Sequence, residues 1–233
     1  MTATHGDPTA ERPEFKDATR ELRSLTARAE KRVLLWLAAH MPRWVNSDHL
    51  TALGLLAMMG AGACYWLSRR DPRFLNLVNL ALVVNWFGDS LDGTLARYRN
   101  RSRPRYGFYV DHMVDAYGAL CVVGGLGLSG LMSAEIAVGI LVAYYLLNIH
   151  IFMAAYTLGV FKIAYGRLGG TELRILIILL NLVVLWRGPP ALVGGYRLLD
   201  LCGAVTVTGI SVALLIATVR TARTLAERER LPD

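Results

Sequence analysis

The chain has 233 residues, of which 54% are hydrophobic and 18% are charged, and its formal net charge is +7. The apolar residues form long blocks separated by short charged segments, and several blocks reach the length of about 20 residues that crosses a bilayer core. This distribution argues against a water-soluble domain. It also explains the positive charge without a nucleic-acid partner, because the basic residues fall at the ends of the apolar blocks. The three cysteines lie inside separate blocks without CxxC spacing, so we expect neither a disulfide framework nor a zinc site.

The polar N-terminal part precedes the first apolar block and shows no cleavable signal peptide, so we expect it to be cytoplasmic. Residues 1–14 are rich in Thr, Pro, Glu and Asp, which is typical of a disordered tail. In the juxtamembrane segment 15–47, apolar residues from Phe15 to Trp36 recur at three- and four-residue steps, with Lys and Arg between them. This pattern predicts an amphipathic helix on an anionic membrane surface.

The apolar blocks predict an all-α fold with six transmembrane helices, which form one domain over residues 48–220 and are followed by a C-terminal tail over 221–233. The predicted helices lie near 48–67, 73–97, 107–131, 134–161, 171–187 and 198–220.

The distribution of basic residues predicts the orientation. If both termini are cytoplasmic, all but five of the 25 Lys and Arg residues fall in cytoplasmic segments. The five on the other side are Arg69, Arg70, Arg73, Arg187 and Arg197. Such a bias is expected from the positive-inside rule and supports an even number of spans in the inner membrane.

Four aspartates interrupt the apolar pattern where the second block ends and the third begins. Asp89 and Asp92 are three residues apart, and Asp111 and Asp115 are four apart, so each pair shares one helix face. Carboxylates are costly in a membrane helix and mark functional sites. Because consecutive helices with a short connection lie antiparallel and adjacent, we expect the two faces to meet. Such a cluster would favour divalent cations such as Mg²⁺ or Mn²⁺.

These residues belong to a longer pattern, Asp89-x2-Asp92-Gly93-x2-Ala96-Arg97-x9-Gly107-x3-Asp111-x3-Asp115. The pattern resembles the signature of the CDP-alcohol phosphotransferase (phosphatidyltransferase) family. The stretch from Asn46 to Gly54 is also similar to the family's usual entry to its first span, as is the layout of six spans after an amphipathic helix.

The resemblance implies a phospholipid-synthesising reaction in which the hydroxyl of an acceptor alcohol attacks a CDP-linked donor, CDP-diacylglycerol or a CDP-alcohol, and CMP leaves. One of the two substrates is then a lipid. By matching positions it implies that Asp89, Asp92, Asp111 and Asp115 hold divalent metal, two Mg²⁺ or Mn²⁺ ions, with Asp115 also the general base. It further implies a nucleotide site lined by Asp89, Gly93, Ala96, Arg97, Gly107 and Asp111, at the cytoplasmic ends of the helices. A homodimer is expected from the same resemblance.

Two further residues are candidate contacts of the acceptor. His112 follows Asp111 as in the choline and ethanolamine branch of the family, although it also suits a bond to a neighbouring group. Glu172 begins the fifth block in a Gly-Thr-Glu stretch that is similar to the same branch, but a glutamate there also suits the helix dipole. Ala116 stands where the branches with phosphorylated acceptors often carry arginine, which favours an acceptor without phosphate.

Two rival functions use the same carboxylates. A divalent metal-ion transporter needs polar groups along a whole path through the membrane, whereas these acids crowd one end of their helices. A non-catalytic family member that binds nucleotide or organises lipid synthesis is the other alternative, and the intact set of acids argues against it.

Overall fold

A computed structural model of the chain describes residues 27–158 and 169–229. Outside these ranges lie the predicted disordered tail, the first part of the juxtamembrane segment, the end of the fourth block and the last residues of the C-terminal tail. Of the described residues, 82% are helical, which confirms the all-α prediction. The elements are α1 Ala27–His40, α2 Ser47–Leu67, α3 Phe74–Tyr98, α4 Pro104–Leu128, α5 Ala134–Leu158, α6 Gly170–Arg187, β1 Leu192–Val193, β2 Tyr196–Arg197 and α7 Leu198–Arg228.

Four helices in the described part of the chain, α2, α3, α5 and α7, are long and apolar enough to cross a membrane. The 18-residue α6 contains Glu172, Arg174 and Arg187, and α4 carries two of the aspartates, which lowers the apolar character of both. Passage of α4 and α6 through the membrane stays a prediction. Helix α7 continues to Arg228, beyond the predicted limit of the last block.

Helix α2 is the centre of the bundle and packs against both α3 and α4. Its start is fixed by Asn46, whose side chain accepts a hydrogen bond from the His49 backbone N–H at 3.2 Å. Of the remaining helices, α1 and α6 pack on α3, α5 packs on α4, and α7 packs on α5.

Glycines allow α2 to lie very close to both neighbours. A Cβ atom added at Gly125 of α4 would lie 2.1 Å from the Gly62 carbonyl oxygen of α2. One added at Gly88 of α3 would lie 2.5 Å from the Leu50 carbonyl oxygen. Small residues permit this backbone contact between membrane helices, which dispersion forces then stabilise.

Two clusters of buried apolar residues lie at opposite ends of α2. One surrounds Leu50 and includes Leu91 and Leu95 of α3 with Leu34 and Ala38 of α1, so α1 packs on the end of the bundle that carries the aspartates. The other surrounds Tyr65, whose hydroxyl donates to Asn181 of α6 at 2.9 Å. Helix α1 is thus present over 27–40, while its position on a membrane surface stays a prediction.

Candidate active site

Asp89 of α3 is paired with a cation from α6. Its Oδ2 atom accepts a hydrogen bond from Arg174 Nη2 at 2.6 Å, and only 29% and 15% of the two side chains are exposed. Arg174 also donates through Nε to Asn85 Oδ1 at 2.7 Å, one turn before Asp89. The charge of Asp89 is therefore balanced from a helix that is distant in sequence.

Asp92 is held by the first turns of α2. Thr51 Oγ1 donates to its Oδ2 atom at 2.6 Å, and the backbone N–H of Gly93 donates to its Oδ1 atom at 2.5 Å. The Ser47 hydroxyl donates to the Asp92 backbone carbonyl at 3.1 Å. These bonds fix the position of the carboxylate relative to α2 without neutralising its charge.

The second pair, Asp111 and Asp115, lies one turn apart on α4. Asp111 is within electrostatic range of Asp92, as Asp89 is, and Tyr144 of α5 is within range of both α4 acids. In the described residues α3 and α4 each pack closely on α2, whereas close backbone approaches between α3 and α4 themselves are few. The acid pairs are thus brought near one another chiefly through α2, and a direct meeting of the two acid-bearing faces stays a prediction.

The chemistry of this donor set fits a divalent cation. Carboxylate oxygens are the ligands that Mg²⁺ and Mn²⁺ prefer, and the four acids lie in the C-terminal half of α3 and the N-terminal half of α4. In residues 27–158 and 169–229, no three Asp, Glu, His or Cys side chains are gathered around a single point.

The residues expected to line a nucleotide site extend from the same end of α3. The guanidinium of Arg97 lies over Gly93, where an added Cβ atom would be 3.3 Å from Nη1. Arg97 is exposed, and Ala96 is half-buried. A Cβ atom added at Gly107 would meet nothing within 4 Å in the described chain, so packing there does not require glycine.

The profile of the CDP-alcohol phosphatidyltransferase family matches residues 44–219, which is well over half of the chain. The chain belongs to this family. Membership confirms the resemblance seen in the sequence and makes the protein a membrane-embedded transferase of phosphatidyl groups from CDP-alcohols. A comparison with curated proteins found no match.

The two candidate acceptor contacts of this family member have local structural partners. His112 Nδ1 lies 2.7 Å from the Phe108 carbonyl oxygen, so Nδ1 carries the proton and donates. Its ring packs against Phe108, with centroids 4.2 Å apart, and against Phe152 of α5. Glu172 Oε2 accepts a hydrogen bond from the Gly169 backbone N–H at 3.0 Å, which stabilises the start of α6.

Two arginines of the α3–α4 loop have structural roles. Arg99 donates to backbone carbonyls of the α1–α2 connection and so ties that connection to the end of α3. Arg103 forms an ion pair with Asp48 at 2.5 Å and lies 4.0 Å from the centre of the Tyr106 ring. The Asp48 carboxylate raises the pKa of the Arg103 guanidinium, which is charged at any physiological pH.

Sequence reasoning missed three residues of the site, namely Thr51 and Arg174, which contact the acids, and Asn85, which holds Arg174. Arg174 entered the prediction only as a basic residue that sets the orientation. The spacing of Asn85 and Asp89, one helical turn, was an available signal for a shared face. Thr51 lies in the Asn46–Gly54 stretch that resembles the family, but nothing local in the sequence indicates an acid as the partner of Thr51 or of Arg174, because both contacts join residues on different helices.

A fourth residue, Glu30 of α1, joins three helices beside the site. Its Oε1 atom accepts hydrogen bonds from Trp86 Nε1 at 2.9 Å and Ser90 Oγ at 3.4 Å on α3, and from Thr171 Oγ1 at 2.9 Å on α6. One carboxylate oxygen therefore fixes α1 and α6 relative to the helix that carries Asp89.

Proposed function

We propose that this protein transfers a substituted phosphate group from a CDP-linked donor, CDP-diacylglycerol or a CDP-alcohol, to an acceptor alcohol in phospholipid synthesis. The observation that carries the proposal is the complete acid pattern of the family, with Asp89 and Asp111 both within electrostatic range of Asp92. The oxygen of the acceptor alcohol forms a bond to phosphorus, and the bond from that phosphorus to the oxygen of CMP breaks. The electron pair of the broken bond leaves with CMP.

Divalent cations, two ions of Mg²⁺ or Mn²⁺, are proposed to bind Asp89, Asp92, Asp111 and Asp115. Four carboxylates at one end of the bundle supply hard oxygen ligands, and their mutual repulsion favours cation binding. When bound, such ions neutralise the donor diphosphate and stabilise the leaving phosphate.

The nucleotide is proposed to lie along the end of α3 and the start of α4. Arg97 projects over Gly93, which places a permanent positive charge beside a stretch of backbone without a side chain. The anionic diphosphate of the donor is thus able to approach both the Arg97 guanidinium and the Gly93 backbone. The full set proposed to contact the nucleotide is Asp89, Gly93, Ala96, Arg97, Gly107 and Asp111.

Asp115 is proposed as the general base that accepts the proton of the acceptor hydroxyl. An alcohol is a poor nucleophile at neutral pH, and a positioned base typically contributes about 10²-fold or more in rate. Asp115 lies one turn further into α4 than Asp111, on the side from which a lipid would approach. His112 and Glu172 are the proposed acceptor contacts, and Ala116 favours an acceptor without phosphate.

We further propose that the protein spans the inner membrane six times as a homodimer, with both termini and the active site on the cytoplasmic side. The distribution of Lys and Arg supports this orientation. All four acids lie in the adjoining halves of α3 and α4, which favours transfer over transport of a metal ion, because transport needs polar groups along the whole path.

The test is CMP release by the purified protein, supplied with CDP-diacylglycerol or CDP-alcohols and a panel of acceptor alcohols. We expect EDTA to abolish release and Mg²⁺ or Mn²⁺ to restore it, because the carboxylates cannot stabilise the diphosphate alone. Full turnover in chelated, metal-free buffer would refute the proposed site.

A matched control is available at the same end of the bundle. Asp48 is 47% exposed, and its carboxylate pairs with Arg103, which is not a partner of the four acids. The Asp48→Asn variant should retain metal-dependent release, whereas Asp92→Asn should lose it. Equal loss in both variants would mean that the assay reports general damage to this end of the protein.

A further inference from the structure

Arg174 binds a carboxylate oxygen of Asp89, one of the four acids proposed to hold a divalent cation. Its Nη2 atom is 2.6 Å from Asp89 Oδ2, and 15% of its side chain is exposed. The guanidinium of an arginine is a permanent positive charge. A cation that displaces Arg174 must attract the Asp89 carboxylate more strongly than the guanidinium does.

Asn85 holds the guanidinium in this position. Its side-chain amide donates to the Gly54 carbonyl at 3.1 Å and accepts from Arg174 Nε at 2.7 Å, and the residue is 4% exposed. Because the amide is fixed at both ends, its oxygen must face Arg174. Arg174 bonds to Asn85 through Nε and to Asp89 through Nη2, so it keeps its bond to Asn85 when Asp89 binds another cation.

The position of α6, the helix that carries Arg174, is also fixed relative to α1 and α3. Thr171, one turn earlier on α6, donates to Glu30 at 2.9 Å, and Glu30 in turn accepts a bond from Trp86 of α3 at 2.9 Å. Arg174 is therefore presented to Asp89 by a network of three helices, unlike a mobile cation on a surface.

We propose that Arg174 competes with the divalent cation for Asp89, so that this ion pair sets the cation concentration at which the site fills. The inference rests on the proposed metal site. A cation that binds Asp89 Oδ2 must break the charge-assisted bond to Arg174, and the guanidinium that remains on Asn85 then repels the bound cation. Arg174 thereby weakens cation binding. When no cation is bound, Arg174 also neutralises the Asp89 carboxylate, which would otherwise be a partly buried charge without a counterion.

The experiment measures Mn²⁺ binding to the full chain in detergent micelles by electron paramagnetic resonance, in the absence of substrates. R174Q removes the competing charge and should bind Mn²⁺ about twofold to fivefold more tightly, the order expected for a partly exposed charged pair. R174K keeps the charge but loses the planar fork, so its affinity should lie between those of R174Q and the unaltered chain.

Two further variants isolate the contact. In the D89N background, R174Q should give a clearly smaller gain in affinity than in the unaltered chain, because the oxygen for which the two cations compete has lost its charge. R103Q removes the exposed ion pair with Asp48 at the same end of the protein and should leave Mn²⁺ affinity unchanged. A similar gain in R103Q would show that general loss of positive charge is responsible, and would overturn the role of Arg174.

The outcomes separate the two proposals. Absence of saturable Mn²⁺ binding by the unaltered chain would refute the metal site and the competition together. Saturable binding with equal or weaker affinity in R174Q would refute the competition alone. If R174Q does not fold, R174K decides, because an affinity no tighter than that of the unaltered chain contradicts the proposal.

Discussion

The contact between Gly125 of α4 and Gly62 of α2 offers a sharp test of how the bundle is held together. A methyl group at Gly125 would place its carbon 2.1 Å from the Gly62 carbonyl oxygen. The atom that it meets belongs to a helix backbone, so no side-chain rotation can relieve the overlap. The neighbouring residue Gly124 has nothing within 4 Å of its added Cβ atom.

The magnitude follows from these distances. Ordinary contacts of a Cβ atom begin at 3.4 Å, so the Gly125→Ala variant must separate the two backbones by about 1 Å. Overpacking of this kind typically costs about 1–3 kcal/mol, and the loss of packing along the contact between α2 and α4 adds to it. In Gly124→Ala the methyl group enters open space, while alanine favours a helix over glycine by up to about 1 kcal/mol.

We therefore expect Gly125→Ala to lower the free energy of unfolding by at least about 2 kcal/mol, and Gly124→Ala to leave it unchanged or raise it slightly. Titration with sodium dodecyl sulfate in mixed micelles, followed by tryptophan fluorescence and by helix content, measures both. Since α2 also positions α3, CMP release should fall in Gly125→Ala alone. Equal stability of the two variants would refute the close packing of α2 on α4.

Other predictions concern the acids and the orientation. Asp115→Asn should lose at least about 10²-fold in the rate of single-turnover CMP release, yet calorimetry should still show that it binds CDP with metal. Asp89→Asn should lose this metal-dependent CDP binding. Near-normal turnover of Asp115→Asn would mean that another residue is the base. Thr51→Val removes the 2.6 Å hydrogen bond to a site carboxylate and should slow CMP release about tenfold, while Thr94→Val, whose hydroxyl bonds only within α3, should not. Cysteines introduced at Arg101 and in the C-terminal tail should be labelled only from the cytoplasm, and labelling of either from outside would overturn the proposed six-span orientation.

Much of the site could be predicted from the sequence because its decisive spacings are local. Residues three or four apart share a helix face whatever the fold, so the spacing alone pairs Asp89 with Asp92 and Asp111 with Asp115. The length of the apolar blocks predicted the helices for a similar reason, since the width of a bilayer sets that length.

Only the tertiary structure decided how the helices meet and which partners the acids have. The short connection between α3 and α4 gives no sign of α2, yet glycines on α2, α3 and α4 let α2 pack closely on both acid-bearing helices. Arg174 reaches Asp89 across 85 positions of sequence, and Thr51 reaches Asp92 across 41. Helix periodicity does not predict such contacts. They depend on the shapes of the helix faces that pack together, and not on the spacing of residues along one helix.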